Sequence, residues 1–129
     1  MVNDHVTEHF KFRECVCPCC DRLKIVPVFF SHMEFLEQMR VKLNFPIIIN
    51  SGYRCPEYNA TIGGAKRSQH MSFATDIRPA WVKGYGEEEW VKRLQAMHEE
   101  AERLNFKGIG IYGTFIHLDL RPEKARWRG

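Results

Sequence analysis

The stretch GIGIYGTFIHLDL, residues 108–120, constrains the fold more than any other part of the chain. Two strand-like runs flank a glycine at Gly113, the pattern of antiparallel strands joined by a tight turn. Side chains along a strand alternate between faces. Ile116, Leu118 and Leu120 therefore share one face, and Phe115, His117 and Asp119 share the other. The aliphatic face reads as core. His117 and Asp119 then stand side by side on the more open face. An exposed sheet face also carries polar residues for solubility alone.

Other segments supply partners for this hairpin. FATDIRP reads as a strand that stops at Pro79, with Ala74, Asp76 and Arg78 on one face. If it pairs with the last strand, Asp76 faces His117. His70, on the loop entering that strand, can swing in. Two imidazoles and a carboxylate, with a fourth position left to water, form the donor set of a catalytic zinc. Spacing alone does not separate this from chance, because His and Asp are common residues.

The remaining elements follow from periodicity and punctuation. PIIIN, after Pro46, reads as a buried strand. In FSHMEFLEQMRVKLN, Ser31 and Glu34 have capping-box spacing and Phe30 with Phe35 fits a hydrophobic staple. Met33, Leu36, Met39 and Leu43 continue at helical spacing. PEYNAT predicts one short helix, stopped by Gly63 and Gly64. GEEEWVKRLQAMHEEAERLN is the clearest helix, with acidic residues in its first turn. Trp90, Leu94, Met97, Ala101 and Leu104 form its stripe, and His98 falls off it as solvated surface. The order predicts an α+β fold, a small mostly antiparallel sheet packed against helices.

At 129 residues the chain is expected to form one domain, 1–129, with residues 1–26 as an N-terminal arm that carries a cysteine cluster. Net charge is only +3, with a mild basic excess in the closing RPEKARWRG. No aromatic-basic interleaving accompanies it, so nucleic acid is not an expected partner. An anionic surface such as cell-wall polymer suits the charge equally well. No run approaches the ~18 apolar residues of a membrane span. The polar N-terminus lacks a signal-peptide core, so cytoplasmic synthesis is expected, and a monomer.

Five cysteines are present: Cys15, Cys17, Cys19, Cys20 and Cys55. An odd count without a secretion signal does not read as a disulfide framework. CVCPCC resembles a zinc knuckle, but closing a four-thiolate site from Cys15, Cys17, Cys19 and Cys20 alone requires a very tight loop. Cys55 is an additional donor from elsewhere. Reduced structural thiols are the simpler expectation, with Cys55 packed in the interior.

SGYRCPEYNATIGGAKRSQH, then ATDI, then GIGIY and FIHLDLR resemble the zinc D-Ala-D-Ala carboxypeptidase family, M15-type peptidases, and within it the short phage and prophage members. The resemblance covers roughly residues 9–127. It implies the hedgehog/DD-peptidase fold and Zn2+-dependent hydrolysis of peptide bonds in peptidoglycan, acting at the wall after release or delivery. The implied metal ligands are His70, Asp76 and His117. Arg54, of S-G-Y-R, is implied to hold a substrate carbonyl or carboxylate, and Ser68 to contact substrate. A non-catalytic module that binds metal or wall peptide on the same fold is the alternative.

Two departures from the family pattern stand out. The usual H-x-x-G-x-A-x-D is one residue longer than HMSFATD and carries a glycine missing here. The loop between His70 and Phe73 is expected to take up the loss, because a one-residue slip within the strand would turn Asp76 to the other face. The family's general-base positions correspond to Thr114 and Phe115, and neither can act as a base. Asp119 is the nearest carboxylate, open to a role as catalytic base or as the group that orients His117.

Overall fold

The computed structural model describes residues 4–129. The first three residues of the expected N-terminal arm lie outside the described residues. The elements are α1 (Pro27–Leu43), β1 (Ile47–Ser51), α2 (Pro56–Thr61), β2 (Ala74–Pro79), α3 (Glu87–Arg103), β3 (Gly108–Ile111), β4 (Ile116–Asp119) and β5 (Ala125–Arg128). Short 3-10 turns span Phe12–Glu14 and Gln69–Met71. The fold is α+β, as expected, and the sheet order is β1-β2-β4-β3-β5. The first four strands pair antiparallel. β5 runs parallel to β3.

α1 starts earlier than the capping-box spacing suggests. Pro27 occupies its first turn, where the missing proline N–H costs nothing, and Val26 precedes it in extended conformation. Ser31 and Glu34 therefore lie inside the helix, and Phe30 is exposed rather than stapled. Asn44 ends the helix at φ 55°, a conformation asparagine tolerates, with its N–H donated to the Arg40 carbonyl.

One face of the sheet packs on the helices. Phe29, Met33, Leu36 and Met39 of α1 meet Leu94, Met97 and Ala101 of α3 over Ile77, Ile109, Ile116 and Leu118. His32 is buried among them, its Nε2 2.8 Å from Thr75 Oγ1 and its ring between Phe73 and Phe106.

Two expectations need correction. The terminal RPEKARWRG is not simply a basic end, since ARWR is β5. Arg126 there is bonded to Glu102 and to the Lys107 and Phe106 carbonyls. The face bearing His117 and Asp119 is also not open: His117 is buried and Asp119 is fully inaccessible. The cause lies in β3. Gly108 and Gly110 pair opposite Asp119 and His117. A side chain at Gly108 would collide with the Asp119 carboxylate, and one at Gly110 with the Trp127 indole. The two glycines leave room for Asp119 and Trp127 to fold over the sheet.

Candidate functional site

β2 and β4 pair with Asp76 directly opposite His117. The 3-10 turn Gln69–Met71 delivers His70 to the same place. Ser68 starts that turn, its Oγ accepting the His70 N–H at 3.2 Å. The loop into β2 makes its bend without left-handed backbone: Ser72 sits at φ −100°, ψ −88°. Among the described residues, the non-glycine residues with positive φ are Asp21, Asn44 and Asn105, none of them in this loop. The turn is thus rerouted rather than strained where the family pattern has glycine, and His70 Nε2 still stands 3.2 Å from Asp76 Oδ1.

Each imidazole is held by one nitrogen and offers the other. His70 Nδ1 lies 2.7 Å from the Gly52 carbonyl, so it donates there and leaves Nε2 free. His117 Nε2 lies 2.7 Å from Asp119 Oδ2, and Nδ1 faces Asp76 Oδ1 at 3.0 Å. The ligand atoms of His70, Asp76 and His117 all lie within 4.8 Å of one another.

Burial alone would raise the Asp76 carboxyl pKa. Hydrogen bonds from His117 and His70 outweigh burial and hold it well below the usual carboxylate range. For His117 burial favours the neutral ring, but the bonds to Asp119 and Asp76 raise its pKa. Asp119 follows the logic of Asp76. Burial opposes ionisation, and Arg121 and His117 override it, so its pKa is depressed. Arg121 grips it through Nε at 2.9 Å and Nη2 at 2.7 Å.

The three groups sit in a cleft of about 460 Å³. Arg54, Arg67 and Arg121 give it a cationic lining. Arg54 Nη2 is 3.7 Å from Asp76 Oδ2, and its backbone N–H bonds the His70 carbonyl at 2.8 Å. One wall is aromatic: Tyr112 and Phe115 stack at 4.5 Å, and Trp127 Nε1 donates to the Tyr112 hydroxyl at 2.9 Å. Thr114 and Phe115 bring no basic group. Among the lining residues Asp76 is the only carboxylate.

Sequence reasoning missed Arg121, Tyr112 and Trp127. Arg121 follows HLDL directly and was readable as a partner for Asp119. The alternating glycines of GIGI were a signal too, because small residues opposite His117 and Asp119 announce that something large lies over that face. Trp127 gave no local sign of its place.

No relative among the curated proteins matches the chain. The family model of Peptidase M15 matches residues 8–119, a span that takes in β1 to β4 and most of the cleft, and the chain belongs to that peptidase family.

Proposed function

We propose that the chain is a zinc-dependent peptidase that hydrolyses peptide bonds in peptidoglycan stem or cross-link peptides. The observation that carries this reading is the convergence of His70 Nε2 and His117 Nδ1 on Asp76 Oδ1 at the base of a cationic cleft. The donor set fits the ion: two imidazoles with their outer nitrogens already committed, and one ionised carboxylate. Bound zinc would supply Lewis acidity toward a carbonyl and an acidified water.

The chain's own residues do the rest. Gly52 and Asp119 fix which nitrogen each histidine presents. Arg54 and Arg121 lend positive charge that suits a substrate carboxylate or a developing oxyanion. Tyr112, Phe115 and Trp127 give an apolar wall for small side chains. Of the two roles open to Asp119, orientation of His117 has the support. Its oxygens are taken by His117 and Arg121, and it has no path to the cleft. Ser68 holds the turn of His70 and also lines the cleft, where it is placed to contact substrate. The substrate would be met at the wall, after release or delivery.

The second reading is a binding module that keeps metal and cleft without turnover. The lack of a lining carboxylate besides Asp76 favours it. Zinc-loaded protein incubated with purified peptidoglycan separates the two. New peptide termini that vanish in His117→Ala establish the peptidase. Stoichiometric binding without new termini on several wall types establishes the module instead.

A further inference from the structure

The cysteine cluster is a separate feature, and it is more completely assembled than CVCPCC alone could achieve. Cys17, Cys19 and Cys20 come from the arm, and Cys55 comes from the loop after Arg54. Their sulfurs all lie within 4.8 Å of one another. The Cys17–Cys19, Cys17–Cys55 and Cys19–Cys55 separations are 3.5, 3.6 and 3.4 Å. Those values exceed the ~2.05 Å of a disulfide, and all five cysteines are free. They approach the ~3.8 Å edge of a tetrahedron whose corners lie ~2.3 Å from a central ion.

We propose that Cys17, Cys19, Cys20 and Cys55 form a second metal site, a closed tetrathiolate centre for zinc or another thiophilic divalent cation, which ties the N-terminal arm to the loop carrying Arg54. The backbone is already arranged for it. The Asp21 N–H bonds the Cys17 carbonyl at 2.9 Å and the Cys17 N–H bonds the Arg22 carbonyl at 2.8 Å, closing a tight knuckle. Asp21 takes the left-handed conformation at φ 56°. Two backbone N–H groups donate to sulfur: Cys55 to Cys17 Sγ and Tyr58 to Cys55 Sγ, each at 3.4 Å. Such donors stabilise thiolates. Four like charges this close require a cation between them.

The seam beside the cluster is tight. The Tyr53 N–H bonds the Cys15 carbonyl at 2.8 Å, and a Cβ on Gly52 would lie 2.7 Å from that oxygen. Gly52 is also the residue whose carbonyl orients His70. The second ion would therefore brace the segment that positions both Arg54 and His70, at a distance from the cleft chemistry.

The test uses the full chain prepared under reductant and loaded with zinc or cobalt(II). Native mass spectrometry should find two zinc ions per chain. One should persist in His117→Ala, and one in the Cys19→Ser, Cys20→Ser double variant. Cobalt-loaded wild type and His117→Ala should both show the near-ultraviolet sulfur-to-cobalt charge-transfer band, and the double variant should lose it. In the wild type, zinc should protect exposed Cys19 and Cys20 from a thiol-specific disulfide reagent, and a chelator should restore their reaction. A single zinc that disappears with His117→Ala overturns the proposal. So does unchanged reaction of Cys19 and Cys20 with and without zinc, a result that needs no variant to fold. None of these readouts depends on peptidase activity.

Discussion

Asp119 illustrates how much one side chain can carry without itself holding the metal. It accepts from His117 Nε2, from two Arg121 nitrogens and from the Arg121 backbone, and it is wholly buried. Asp119→Asn keeps the shape but loses the charge that holds the His117 tautomer. Zinc affinity at the histidine site should fall about 10–100-fold, measured by competition with a chromophoric chelator. Wild-type affinity in the variant would remove Asp119 from the positioning role. His32 makes a second prediction at this scale. Burial drives its pKa from the ordinary 6.5 to about 3. Its neutral form is thus favoured by the fold. The stability this confers is complete above pH 6.5 and is lost as pH falls toward 3, at about 1.4 kcal/mol per pH unit. Urea unfolding of wild type and His32→Gln across that range should show the excess slope in the wild type only.

At the scale of elements, β5 is the decisive addition. Its parallel pairing with β3 lays Trp127 over Gly110, with the ring 5.1 Å from His117 and the Arg121 guanidinium 4.9 Å above the indole. Trp127→Ala should cost about 2 kcal/mol in urea unfolding from lost apolar burial, and Trp127→Phe distinctly less. Equal losses would mean that the wall does not depend on the indole's bulk. Gly108→Ala tests the same face from beneath. The added methyl meets the Asp119 carboxylate, and a loss of about 1–3 kcal/mol is expected from overpacking. An unchanged unfolding midpoint would show that Asp119 has space to move.

At the scale of the whole molecule, metal binding and folding should be linked, because the proposed ligands come from segments far apart in sequence: Cys17, Cys19 and Cys20, then Cys55, His70, Asp76 and His117. Each occupied site should stabilise the chain by about 2.7 kcal/mol at a hundredfold excess over its dissociation constant. Thermal melts should rise with added zinc and fall with a chelator, and zinc-independent melts would argue against both sites. None of the described helices is long and apolar enough to cross a membrane. The α+β class, the pairing of Asp76 with His117, α2 and α3 were all readable in the sequence, because side-chain alternation, helical spacing and glycine or proline punctuation are local. The start of α1 was not, since a local capping pattern lost to Pro27 and to packing of Phe29. β5 was not, since a four-residue strand of alternating charge takes its state from a parallel neighbour. By itself the sequence determined which residues could serve as ligands and which faces they share, because those follow from residue type and spacing. Only the tertiary structure decided that Cys55 completes the thiol cluster, that the shortened loop still brings His70 to Asp76, and that Asp119 is sealed beneath the cleft. Those outcomes depend on contacts between segments that no spacing along the chain encodes.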